Sequence, residues 1–315
     1  MSKMERIVQV ARDPRWWSFY LQRRISNPIR RDAMARRLAR LKPNHSPVDI
    51  ERADAGLRDL SSSGLHELGQ LMSAHQAQEL VSYFEKQKVH DPYQPSVPEF
   101  LPLSEDRPSE SHIAHHKPED ILKVPALLAL ANDPCILDVA GLFLGCKPTI
   151  GYMATWWSYA TGFGPQQAER FHRDVDDWRF VKLFVYLTDV TMDSGPHKYV
   201  LHSSSQDVLT DIRRFEDDEV ACAFGEENIR TMTSKAGEGF LEDTRGIHKG
   251  QPVQSGHRLV FQVVYTMTPL PYAPKAPLME MPTGVDYDSW VNRVYLKRNS
   301  ARSGNAMIGP DWSSR

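Results

Sequence analysis

His172, Arg173 and Asp174 form the only histidine-x-acid triplet in the chain. In an extended segment the first and third residues point to one face, so an imidazole and a carboxylate can grip one metal ion there. Twelve histidines and 40 acidic residues in 315 make about 1.5 such triplets expected by chance. The weight therefore comes from context. A Gly/Pro-containing loop (161–169) precedes the triplet, and the strongly apolar run 180–190 follows it. His248 stands after another strand-like run and a turn, and Arg258 opens the next run. A hairpin between them would put both on one side of a barrel. Two imidazoles and one carboxylate are the facial ligand set of non-haem Fe(II). Three coordination positions stay open: a 2-oxo acid fills two and dioxygen the third. The far carboxylate of that acid then needs a planar, bidentate cation, which Arg258 supplies better than a lysine would. A buried His-Asp pair and a structural salt bridge are the bland readings of the same residues.

The run FHRDVDDWRFVKLFVYLTDV, followed by SGPHKYV, resembles the phytanoyl-CoA dioxygenase-like family of Fe(II)/2-oxoglutarate-dependent oxygenases, in particular a bacterial branch of it. The likeness runs in outline from the region of Ile113 to Thr268 and is strongest from His172 to Ser203. It implies His172 and Asp174 as proximal iron ligands, His248 as the distal ligand and Arg258 as the 2-oxoglutarate anchor. The implied cofactors are Fe(II), 2-oxoglutarate and O2. The implied fold is α+β, a double-stranded β-helix (a cupin-like jelly roll) with N-terminal and flanking helices. The implied reaction is hydroxylation of an unactivated C–H bond in a small metabolite, lipid-like molecule or natural product, with release of succinate and CO2. Asp174 occupies the position that a halogenase of this chemistry vacates for halide, so oxygen insertion or a related desaturation or ring reaction is expected. The alternatives are a cupin-type metal-dependent isomerase or hydrolase, and a non-catalytic protein of the same fold.

Two places depart from the family pattern. A hydroxyl residue often follows the distal histidine by two positions, and here that position is Gly250. The Gly-Ser-His ending of the GPH segment is replaced by Leu201-His202-Ser203-Ser204. Trp157, on the strand before the metal loop, is a candidate cosubstrate neighbour by position, and equally a core aromatic. Asp176 and Asp177 either contact substrate at the site mouth or cap the turn into the next strand, the turn being the favoured reading. Lys182 and Arg179 are candidates for binding an anionic substrate or equally for pointing outward, because parity is lost across the preceding loop.

The elements that would position these residues divide the chain into three. Residues 1–108 read as a helical extension ending in a proline-rich connector; 109–270 as the β-helix domain; 271–315 as a tail packing on the core. Apolar residues at helical spacing run from Ser46-Pro47-Val48-Asp49 through Leu57, Leu60, Leu65, Leu68, Leu71 and Met72. Prolines 92, 95, 98, 102 and 108 mark the connector. Strand-like runs then follow at 149–159, 180–190, 198–201, 237–241 and 259–267.

The composition, 41% hydrophobic and 25% charged, is that of a globular protein. Three scattered cysteines suggest no disulfide framework and fit a reducing compartment. With no signal-peptide-like apolar core at the start, a cytoplasmic location is expected. The net charge of −2 conceals an asymmetry: residues 1–42 hold 12 Lys/Arg against three acids. Such an arm either meets an anionic substrate or membrane surface or packs on the acidic body or a second subunit; packing is the favoured reading. The partners expected are a small-molecule substrate, weak anionic or membrane contact through 1–42, and a second copy of the chain; nothing points to nucleic acid.

Overall fold

A computed structural model describes residues 3–298. The first part of the chain carries helices α1 (Lys3–Arg12), α2 (Arg15–Gln22), α3 (Pro28–Ala39) and α4 (Ile50–Ser62). Strand β1 (Leu65–Gln70), helix α5 (Ala74–Phe84) and strands β2 (Val89–His90) and β3 (Ile113–His116) follow. Their starts are written in the sequence. Asn27 caps α3 by accepting from Arg30 N, with Pro28 behind it. Asp49 caps α4 by accepting from Arg52 N, and Ser73 with Gln76 forms a reciprocal capping box on α5. Helices α6 (Pro118–Leu122), α7 (Pro125–Ala131) and α8 (Pro134–Leu144) each open on proline. Residues 125–144 are the one stretch among the described residues long and apolar enough to cross a membrane; Asp133 interrupts it by capping α8, and most of its apolar surface is buried in the fold.

The helical reading of 46–72 is too long. Apolar spacing continues past Ser62, but Gly64 takes φ +86° and turns the chain out of the helix. Leu65 and Leu68 then lie on β1, antiparallel to β8. The N-terminal extension is therefore not purely helical: β1 and β2 supply the two edges of the main sheet. A Cβ at Gly64 would strike the hydroxyl of Tyr199, which is fully buried and donates to Asp243 O at 3.1 Å. Gly64→Ala is thus expected to cost about 2–4 kcal/mol, from left-handed strain and overpacking together. Urea denaturation checks this; a variant within 0.5 kcal/mol of wild type (a typical scale for neutral surface changes) would contradict it.

The remaining strands are β4 (Thr149–Tyr159), β5 (Phe180–Tyr186), β6 (His197–Val200), β7 (Ile229–Met232), β8 (Glu238–Glu242), β9 (His248–Gly250) and β10 (His257–Thr266), with helix α9 (Asp217–Phe224) after β6. A short parallel pair, β11 (Met279–Glu280) and β12 (Leu296–Lys297), closes the described chain. The order of the large sheet is β1-β8-β5-β10-β4-β3-β2 and that of the small one is β7-β6-β9. Phe171 and His172 extend the small sheet through a bridge to His248. Successive strands from β4 onward thus pass back and forth between two sheets. All pairings in these two sheets are antiparallel.

Strand parity separates two cores. Val181, Leu183 and Val185 of β5 face the helices, in a cluster with Trp157, Leu241, Leu259 and Phe261. Phe184 and Tyr186 face the gap between the sheets, with Phe240, Val260, Tyr199 and Trp156. The second gap holds the candidate chemistry. Within the expected tail, Val291, Val294 and Tyr295 are buried while much of 275–289 is exposed; residues 299–315 lie outside the described range.

Candidate metal centre

The bridge between residues 172 and 248 is a reciprocal backbone pair: each N–H donates to the other's carbonyl at 3.0 Å. It sets the two imidazoles side by side, with ring centroids 4.3 Å apart. Asp174, one pleat on, brings its carboxylate to both. Its Oδ1 lies 3.6 Å from His172 Nε2 and its Oδ2 3.3 Å from His248 Nε2. One ligand atom from each residue falls within 4.8 Å of the others, the spread that a single ion can bridge.

The tautomers suit this purpose. His172 Nδ1 lies 2.9 Å from Arg170 O and His248 Nδ1 3.0 Å from Gly246 O. Carbonyls only accept, so both Nδ1 atoms carry protons and both Nε2 atoms are the ones turned to Asp174, the orientation that carbonyls behind the ring impose on ligating histidines. Burial opposes a charge on His248, but Asp174 outweighs it and holds the His248 pKa above its usual value. Burial, and then the neighbouring His248, push the His172 pKa down to about 3, leaving a neutral imidazole. Burial by itself would raise the Asp174 pKa, but Lys182 and then His248 outweigh it and hold the carboxyl well below its usual range.

Lys182 is on β5, with its side chain in the gap. Its ammonium sits 2.6 Å from Asp174 Oδ2 and 2.9 Å from Asp176 Oδ2. The face of this lysine, undecidable from sequence, is thereby settled: it clamps Asp174 Oδ2, the oxygen nearer His248 Nε2, and leaves Oδ1, beside His172 Nε2, without a cation. The neighbouring acids divide. Asp177 does cap the turn, accepting from the N–H groups of Trp178, Met267 and Thr268. Asp176 turns to Lys182 instead. Arg179 is spent on Asp32 and Phe143 O, away from the site.

Arg258 comes from the opposite wall. The expected hairpin with His248 does not exist, because β9 belongs to the small sheet and β10 to the large one. The crossover from one sheet to the other nevertheless aims the guanidinium into the same gap. It is 6% exposed, and Nη2 donates to Ser158 Oγ at 3.1 Å. Nε and Nη1 are buried without a hydrogen-bond partner, and no carboxylate pairs with Arg258 among the described residues. A Cβ at Gly250 would stand 3.5 Å from Nη2, so position 250 also borders this guanidinium.

Trp157 is not part of the site. Its indole lies on the helix side of the large sheet, donating to His116 Nε2 at 2.9 Å and packed in the helix-side core. Its neighbours Trp156 and Ser158 face the gap, as alternation along β4 requires. The exposed His257 lies edge-on to Trp157 on that outer side. Sequence reading named Lys182 without assigning its partner, and missed Ser158 and the pair His197–Glu242. Glu242 is fully buried; its Oε2 lies 2.8 Å from His197 Nε2, outside hydrogen-bond geometry, and its Oε1 4.0 Å from His248 Nδ1. Burial pushes its pKa up to about 8. A polar residue inside an alternating apolar strand was the one available signal for Lys182 and Glu242.

No family model matches the chain, and no curated protein matches it. Solved structures do. The epimerase SnoN in complex with Fe3+, alpha ketoglutarate and nogalamycin RO is 14% identical over 69% of this chain and 84% of its own, with a TM-score of 0.48. HygX from Streptomyces hygroscopicus, with nickel and 2-oxoglutarate bound, is 14% identical over 74% and 96%, with a TM-score of 0.49. EvdO2 from Micromonospora carbonacea var. aurantiaca is 16% identical over 71% and 92%, with a TM-score of 0.47.

Proposed function

We propose that this chain is a non-haem Fe(II)/2-oxoglutarate-dependent oxygenase, with a double-stranded β-helix core in residues 109–270. The back-and-forth passage of β4 to β10 between two antiparallel sheets supports the fold. One observation carries the function: a buried, unpaired guanidinium shares the gap with a His-Asp-His trio. A buried cation without a counter-anion is costly unless a ligand supplies one. The donor set fits iron, with two imidazoles, one carboxylate oxygen left free and no thiolate.

In this reading His172 Nε2, His248 Nε2 and Asp174 Oδ1 hold the metal, and Lys182 fixes the other Asp174 oxygen. Arg258, with Ser158 beside it, receives the distal carboxylate of 2-oxoglutarate. Bound iron would supply dioxygen activation coupled to decarboxylation of 2-oxoglutarate to succinate and CO2, with the second oxygen atom going to substrate. Trp156, Phe184, Tyr186 and Phe240 line the gap and keep water from the reacting centre. Because Asp174 fills the carboxylate position, hydroxylation or a related oxidation is the expected outcome rather than halogenation.

The test is anaerobic. Full-length protein with Fe(II) and 2-oxoglutarate should show a weak visible charge-transfer band, absent in Asp174→Ala. Under air, succinate release across a substrate screen should likewise depend on Asp174. A wild type that binds neither Fe(II) nor 2-oxoglutarate would defeat the proposal. A metal-dependent isomerase or hydrolase would bind metal without the band.

A further inference from the structure

Beside the metal centre the basic arm closes over a second feature. Arg23 and Arg31, from the α2–α3 region, meet Arg173, Asp174, Ser204 and Thr210 around a cavity of about 30 Å³. One water needs about 10–15 Å³ by the same measure, so the space holds two water-sized atoms, the reach of two anionic oxygens.

Two of the arginines lack a paired carboxylate: Arg31, which is buried, and Arg173, which is half-buried. Arg31 is 6% exposed; its Nη2 donates to Gln22 Oε1 at 2.5 Å and to Asp177 O at 2.8 Å. Its Nε is buried and has no partner. Arg173 donates only to backbone carbonyls: Leu209 O at 2.9 Å, Val208 O at 2.8 Å and Arg245 O at 2.7 Å. Neither guanidinium has a carboxylate within ion-pair distance among the described residues. Arg245 makes the contrast, because it pairs with both Asp243 and Asp32. Two acids line the cavity: Asp174 is already held by Lys182, and Asp211, the other, makes no ion pair with Arg31 or Arg173. Neutral acceptors satisfy hydrogen bonds but leave charge unbalanced. Burial, and then Arg245, hold the Arg31 pKa down to about 10, which is the sign of a site short of negative charge.

We infer that this cavity binds a carboxylate or phosphate group carried by the substrate, so that the basic arm works as a substrate clamp next to the metal. The inference rests on the oxygenase reading for the word substrate, but the anion site itself does not.

The experiment uses full-length, metal-free protein and inorganic phosphate at constant ionic strength, with chloride as control, followed by thermal shift. Phosphate should stabilise the wild type by mass action. Arg31→Gln and Arg173→Gln should each weaken its binding about tenfold or more, as expected for a lost charge-assisted hydrogen bond. Arg31→Lys should retain most of it. If Arg31→Gln does not fold, Arg173→Gln and Arg31→Lys decide. A second arm titrates glycerol 3-phosphate: a group borne by substrate must be accepted when esterified, so the ester should compete with phosphate. Rejection of the ester would overturn the substrate clamp in favour of a free-anion site. Stabilisation no greater than by chloride, or equal in wild type and both glutamine variants, would overturn the site altogether. Because no iron or 2-oxoglutarate is present, this result stands apart from the charge-transfer test.

Discussion

Arg258→Met is expected to weaken 2-oxoglutarate binding about 30-fold to several thousand-fold, while making the empty protein more stable. Removing one partner of a buried charge pair costs about 2–5 kcal/mol in binding, and 1.4 kcal/mol is a factor of ten. The opposite sign for stability follows from the same geometry. Without ligand, Nε and Nη1 are buried with nothing to bond, and Nη2 has only the Ser158 hydroxyl. A methionine of similar reach removes that uncompensated charge, a change worth about 1 kcal/mol or more in comparable buried sites. Calorimetry with Mn(II)-loaded protein measures the first effect and urea midpoints the second. An Arg258 that merely braced the fold would lose stability on substitution and leave 2-oxoglutarate affinity alone.

The second large effect is at Lys182. Lys182→Met should destabilise the metal-free protein by about 1–3 kcal/mol, below the roughly 3–5 kcal/mol of a fully buried pair, because it leaves Asp174 and Asp176 as neighbouring half-buried carboxylates without their lysine. A divalent ion at the His-Asp-His trio returns positive charge to the same place, so Mn(II) should recover much of that loss and stabilise the variant more than the wild type. Paired denaturation curves with and without Mn(II) report this directly. Equal stabilisation of both proteins would show that Asp174 does not face the ion.

The trio was legible because its spacing is local for His172 and Asp174, and because His248 and Arg258 stand at recognisable strand openings. What failed was parity and partnership. Trp156, Trp157 and Ser158 are consecutive in an aromatic-rich strand, and no apolar alternation told which face was inner; the answer came from pairing with β10. Leu65 and Leu68 continue a helical period by coincidence, and the left-handed turn at Gly64 overrides it. His248 and Arg258 were brought together for the wrong reason. A short connection resembles a hairpin in sequence, but here it changes sheets. Part of the arm packs on the body, though with ion pairs through its acid rather than its bases: Asp32 meets Arg179 and Arg245, and Arg31 reaches Asp177 O. Its bearing on the site required the cavity.

The reciprocal backbone pair between His172 and His248 has a kinetic meaning. These two residues lie far apart along the chain, and everything from β5 to β8 folds within the loop they close. Contacts of that separation form late, after the entropy of closure has been met by other strands. An ion held across this closure would act as a removable cross-link, worth on the order of 4 kcal/mol if it constrained the unfolded loop as a covalent bridge does. Unfolding should therefore begin by parting the small sheet at this seam, and metal loading should slow unfolding far more than it speeds folding.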